Sequence, residues 1–92
     1  MENSNNGIKV VVLKSDNVMM DVIYDAKIIR IKDGKYNLLI MKDYWPVIGE
    51  IDGSIYIEAD KNYSYDNIKG FYSLTHNLFH LIIKEEGISD DK

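Results

Sequence analysis

Turn-forming residues recur every 8–12 positions along the middle of this sequence, a spacing that leaves room only for short strands. The signals are Ser15-Asp16-Asn17, Lys32-Asp33-Gly34, Trp45-Pro46, Asp52-Gly53, Asp60-Lys61-Asn62 and Lys69-Gly70. Asp, Asn and Ser bond their own backbone, and Gly tolerates conformations that other residues avoid. The runs between are rich in Ile, Val and Tyr, which suit a pleated, half-buried surface. Ile8–Leu13 is the first expected strand. Ile28–Ile31 leads into Asp33-Gly34, a hairpin dipeptide, and Tyr36–Met41 returns from it. Ser54–Glu58 alternates, with Ile55 and Ile57 on one face. The pattern predicts an all-β fold: a small antiparallel β-sandwich of about 8–10 short strands.

One segment reads two ways. Thr75 can serve as the N-cap and Gly87 as the stop of a helix, with Leu78, Leu81 and Ile82 as its apolar stripe. The rival is a hairpin, Phe71–Leu74 and Leu78–Ile83 about a turn at Thr75-His76-Asn77, with Phe79, Leu81 and Ile83 facing one way. Pattern alone leaves both open.

Ninety-two residues allow one domain, and a chain this short buries only about 60–65% of its unfolded surface. Residues 1–7 read as a disordered leader, 8–85 as the folded domain and 86–92 as an acidic tail. Cysteine is absent, which removes disulfides, thiolate metal sites and thiol nucleophiles together. The net charge of −4 disfavours a phosphate backbone as partner, so no nucleic acid is expected. The longest apolar run, Val10–Leu13, is far below the roughly 18 residues of a membrane span. The polar start lacks the basic and apolar blocks of a signal peptide. The expectation is a cytoplasmic chain, or one on the cytoplasmic side of an assembly, with no membrane insertion of its own.

No motif carries chemistry. His76 and His80 have the spacing of two ligands on a helix but lack further ligands, and two surface imidazoles account for them. Asp16, Asp21, Asp25, Asp33, Asp43, Asp52, Asp60 and Asp66 form no calcium loop and fall mostly in turns. Phosphate-binding glycine loops and a nucleophile elbow are absent, and no serine has a nearby base. A non-enzyme without cofactor or metal is expected. Tyr63, Tyr65 and Tyr72, with Tyr44-Trp45, are the aromatics expected to be partly exposed, and they serve an interface or a core equally well.

Taken in order, the strands and turns resemble the N-terminal β-sandwich of the epsilon subunit of F-type ATP synthases. Ile8–Leu13 is similar to the family's opening strand, and Ala26, Ile29 and Ile31 take the places of a Val-x-x-Val-x-Val strand. Ile40 and Pro46 keep the ends of an Ile-Leu-Pro-Gly-His-Ala-Pro stretch; Leu39 replaces a Gly before it, Lys42-Asp43 replaces Pro-Gly, and Tyr44 replaces the His. Val47–Ile57 follows the next run, one residue shorter before its Gly. The best match is Gly70–Ile82, similar to Gly-Phe-Leu-x-Val-x-x-Asn-x-Val-x-Ile-Leu, a strand, an Asn-containing turn and a strand. It favours the hairpin over the helix. The family's two C-terminal helices have no counterpart in the sequence.

The resemblance implies a non-catalytic rotor part of an F-type or F-type-like rotary ATPase. Such a part binds the gamma subunit and, in synthases, rests on the polar loops of the c-ring, as a peripheral element on the cytoplasmic side of the membrane. Asn37, Lys42, Asp43 and Tyr44 match the family's ring-facing loop, and Trp45 beside them is a large candidate anchor. The altered loop also fits an ATPase diverted to another motion and lacking a c-ring. The competing expectation is a stand-alone β-sandwich interaction module, a phage or host regulator, binding through Tyr44-Trp45 and the Tyr63–Tyr72 segment.

Overall fold

A computed structural model describes residues 7–14 and 18–86. The chain is all β: β1 (Ile8–Lys14), β2 (Met19–Ala26), β3 (Ile28–Asp33), β4 (Asn37–Met41), β5 (Val47–Glu58), β6 (Asn62–Thr75) and β7 (Leu78–Glu86). These form one seven-stranded sheet in the order β2-β1-β7-β6-β5-β3-β4. The expected leader lies outside the described residues except for Gly7, the tail except for Glu86, and the turn at Ser15-Asp16-Asn17 entirely.

The strands are fewer and longer than expected because two of the expected turns are bulges. Asp52-Gly53 and Lys69-Gly70 lie inside β5 and β6, where the ladders slip between Gly53 and Ile55 and between Lys69 and Gly70. A Cβ on Gly53 would collide with the Lys32 carbonyl oxygen, and one on Gly70 with that of Ile82. Glycine is needed here so that neighbouring strands can approach, not to reverse the chain. Opposite the first slip, Asn67 takes a positive φ of 55°.

The bulges let β5 and β6 run through both halves of the sheet. β3 pairs with β5 over Gly53–Glu58, while β7 pairs with β6 over Ile68–Thr75. Layer one is therefore β4, β3, the end of β5 and the start of β6. Layer two is β2, β1, β7, the end of β6 and the start of β5. Ile29, Ile40 and Ile57 from layer one and Val10, Phe79 and Leu81 from layer two belong to a single buried cluster, so the two layers lie face to face. The expected two-layer arrangement is reached by one sheet folding over.

Three further expectations change or resolve. The sheet is mixed: β1 runs parallel to β7, Val10 beside Phe79, because the two strands are joined through the rest of the chain and not by a hairpin. The segment Ala26–Ile31 is not one strand. Ala26 ends β2 in layer two, Ile29 and Ile31 sit on β3 in layer one, and all three are fully buried. Third, residues 75–86 form no helix: Thr75 pairs with Leu78 across a two-residue turn in which His76 and Asn77 have φ of 49° and 61°. That is a type I′ hairpin turn, whose twist matches the strands it joins.

Side-chain hydrogen bonds fasten the layers. The Asp33 carboxylate accepts from the backbone N–H of Lys35 and of Asp52, each at 2.8 Å, tying the β3–β4 turn to β5. Those donors hold its carboxyl below the ordinary value. Tyr65 donates to Asp21 at 2.6 Å across the layers, and the Tyr36 hydroxyl donates to the Glu50 carbonyl at 2.5 Å while lying 2.8 Å from that of Tyr72. Burial, then hydrogen bonding, pushes both the Tyr36 and Tyr65 phenols above the ordinary 10.0. In the unfolded chain these phenols ionise from that value upward, whereas the fold resists their ionisation. Their contribution is therefore complete below 10.0 and lost as pH rises above it. The urea midpoint is expected to fall between about pH 8 and about pH 11, and less steeply in Tyr65→Phe. Equal slopes in the two proteins would exclude this role for Tyr65.

Candidate functional site

The loop joining β4 to β5 holds Lys42, Asp43, Tyr44 and Trp45, four of the residues that the sequence singles out. The Tyr44 N–H donates to the Met41 carbonyl at 3.1 Å, closing a tight turn with Asp43 at φ 65°. A positive φ at that third position is the type II geometry, which an Asp tolerates better than most residues. The turn is clamped from outside. The Asn77 side-chain oxygen accepts from the Asp43 N–H at 2.6 Å, and its amide nitrogen donates to Asp43 Oδ1 at 3.0 Å. The β6–β7 turn thus sets the position of the β4–β5 turn. Tyr44 packs partly on the core and anchors the loop, while Trp45 is 81% exposed and nearby Ile48 83%. Asn37 is not brought to this loop. It begins β4, which puts about 13 Å of strand between it and Lys42.

Asn77→Gly keeps the left-handed turn accessible but removes the clamp. It is expected to cost about 1 kcal/mol and to speed hydrogen exchange at the Asp43 amide. Unchanged exchange there would exclude the clamp.

Among the other aromatics the core explanation prevails. Tyr72 is buried at 3% exposure, stacked 5.8 Å from Phe79, and Tyr63 and Tyr65 pack partly on the core. His76 lies in the hairpin turn and His80 on β7, so the helical spacing that pairs two ligands does not arise. Among the described residues no group of three or more His, Asp or Glu could hold a metal ion.

Sequence reasoning missed a surface on the outside of layer two. Cross-strand register aligns Phe71, Ile82 and Leu13 in one row, and Ser73, His80, Val11 and Val22 in the next. Phe71 is 42% exposed and Ile82 37%, with exposed Met19 opposite Leu13 on β2. Lys84 lies 5.5 Å from the Phe71 ring centroid and Lys9 5.5 Å from that of Tyr24, giving the apolar area a cationic rim. The available signal was the unbroken run Val10-Val11-Val12-Leu13, since a strand apolar at successive positions is apolar on both faces.

The fold has a counterpart among solved structures. A chain in the cryo-EM structure of the central stalk and c-ring of the Tetrahymena thermophila mitochondrial ATP synthase superposes with a TM-score of 0.66. The fold is one found in an ATP synthase rotor. The likeness covers 92% of this chain and 67% of that one, at 10% identity. No protein-family model matches the chain, and no curated protein matches it by sequence. The rotor likeness thus rests on backbone shape. Within the described residues no helix is long and apolar enough to cross a membrane.

Proposed function

We propose that this chain is a non-catalytic central-stalk subunit of an F-type or F-type-like rotary ATPase, corresponding to the sandwich part of the epsilon subunit. It binds the gamma subunit and travels with it, peripheral to the membrane on the cytoplasmic side. The observation that carries this reading is the rotor fold, shared over 92% of the chain with a protein of an ATP synthase stalk assembly. Two features add support. The outer face of layer two offers Phe71, Ile82, Leu13 and Met19 to a partner, and partly exposed apolar rows suit the apolar side of a coiled coil. The loop carrying Lys42, Asp43, Tyr44 and Trp45 is stiffened by its clamp and presents Lys42 and Asp43 beside the exposed Trp45, a fixed end with which to meet the loops of a ring.

A rotor part transmits torque only if it does not deform under load. One core shared by both layers, and the Tyr65–Asp21 bond between them, supply that stiffness. The test is affinity purification of the tagged chain from its native host. A gamma-like coiled-coil subunit and a catalytic hexamer should copurify in stoichiometric amounts. Recovery of the chain with neither would overturn the reading and leave the stand-alone interaction module.

A further inference from the structure

The sheet has two edges, and they are guarded differently. β2 carries Asp21 and Asp25, its pairing with β1 is interrupted by register shifts, and Asp25 sits at a φ of 57°. Charges and bulges of this kind keep an edge from pairing with other chains. β4, Asn37-Leu38-Leu39-Ile40-Met41, has no charge, proline or register shift. The Asp33 N–H donates to the Tyr36 carbonyl at 2.9 Å, which sets the phase of the β3–β4 ladder. By antiparallel alternation the backbone groups of Leu38 and Ile40 then turn toward β3, and those of Asn37 and Leu39 toward the open side.

Beside this edge stands the chain's single arginine. Register places Leu39, Arg30 and Tyr56 in one row across the outer face of layer one, with Lys32 next to Arg30 on the same side of β3. Shallow depressions of about 350 Å³ and about 260 Å³ flank Arg30, the first lined by Ile28, Tyr56 and Glu58, the second by Lys32, Asn37 and Leu39. Arg30 is exposed and, among the described residues, forms no ion pair, although Glu58 shares its face. A guanidinium is the side chain best shaped to grip a carboxylate with two parallel bonds. A strand added beyond β4 would have the residue opposite Leu39 two strand spacings from Arg30, about 9.6 Å, a gap that Arg and Glu side chains close together.

We propose that β4 accepts an extended segment of a partner protein as an additional strand, with an acidic side chain opposite Leu39 bound by Arg30. The occupant is acidic because Arg30 and Lys32 make this face locally basic in a chain of net charge −4. The surface lies on layer one, away from the apolar face of layer two, so this docking stands independently of the rotor reading.

The test uses the full chain and two synthetic nonapeptides of alternating Val and Thr, one with a central Glu and one with a central Lys. The Glu peptide is expected to bind about tenfold more tightly by fluorescence anisotropy and to protect the Asn37 and Leu39 amides from hydrogen exchange. Arg30→Glu should invert the preference, with the Lys peptide now the tighter. Equal affinities for the two peptides on the native chain, no binding of either, or protection confined to β2 or to the Phe71 face would overturn the proposal. So would self-association through β4 that the Glu peptide fails to displace.

Discussion

Replacing Gly70 with valine is expected to destabilise the protein severely. Even the first added carbon would collide with the Ile82 carbonyl oxygen and crowd Ile83 Cα at 3.1 Å. Both obstacles belong to the backbone of β7, which cannot turn aside as a flexible side chain can. Relief would require separating β6 from β7 at the centre of the sheet, where Phe79, Leu81 and Ile83 deliver their side chains to the core. The cost is expected to exceed about 4 kcal/mol, in the extreme tail of single substitutions. For 92 residues the whole stability is about 5–14 kcal/mol, so a loss of this size is a large share of it. Far-UV circular dichroism and urea unfolding measure this. Gly34→Ala is the control. Nothing lies within 4 Å of its added carbon, and the change should stay within about 0.5 kcal/mol. A Gly70→Val protein that melts like the native one would refute the close approach of β6 and β7.

The second large effect concerns assembly. If the proposed rotor role holds, Phe71→Asp combined with Ile82→Asp abolishes copurification with the coiled-coil shaft subunit while leaving the fold intact. The two residues are register partners on adjacent strands and are 42% and 37% exposed, so neither is needed to close the core. Carboxylates there would have to be desolvated against the partner's apolar side, and the loss of an aromatic anchor alone costs about 2 kcal/mol or more. Together these predict a loss of about a hundredfold or more in affinity. The native circular dichroism spectrum must be kept for the result to count. Normal copurification of this double variant would move the shaft contact elsewhere on the molecule. Trp45→Ala is then the informative next variant, because Trp45 stands exposed on a loop that the Asp43–Asn77 pair holds in place.

The all-β fold was legible because alternation in Ser54–Glu58 and the turn residues around Asp33-Gly34 and Asp60-Lys61-Asn62 act locally. The hairpin at residues 75–78 was not settled by pattern. It follows from His76 and Asn77 both adopting left-handed φ, which residue type permits but does not require. β2 escaped notice because Met19–Ala26 mixes exposed, half-buried and core positions and contains a bulge at Asp25. Asn37 was grouped with the β4–β5 loop through the resemblance, although strand rise separates them. The apolar face of layer two was missed because its rows draw on β1, β2, β6 and β7, which are distant in the chain.

By itself, then, this amino-acid sequence determined the strand chemistry, the absence of cysteine ligands, and the few positions where the backbone must turn or admit a close neighbour. Only the tertiary structure decided that Gly53 and Gly70 are bulges within long strands, that β1 lies parallel to β7, and that one sheet rolls over to make both layers. The physical reason is that a glycine satisfies a turn and a strand crossing equally well. The choice between them depends on which carbonyl arrives from elsewhere in the chain, and no local pattern encodes that.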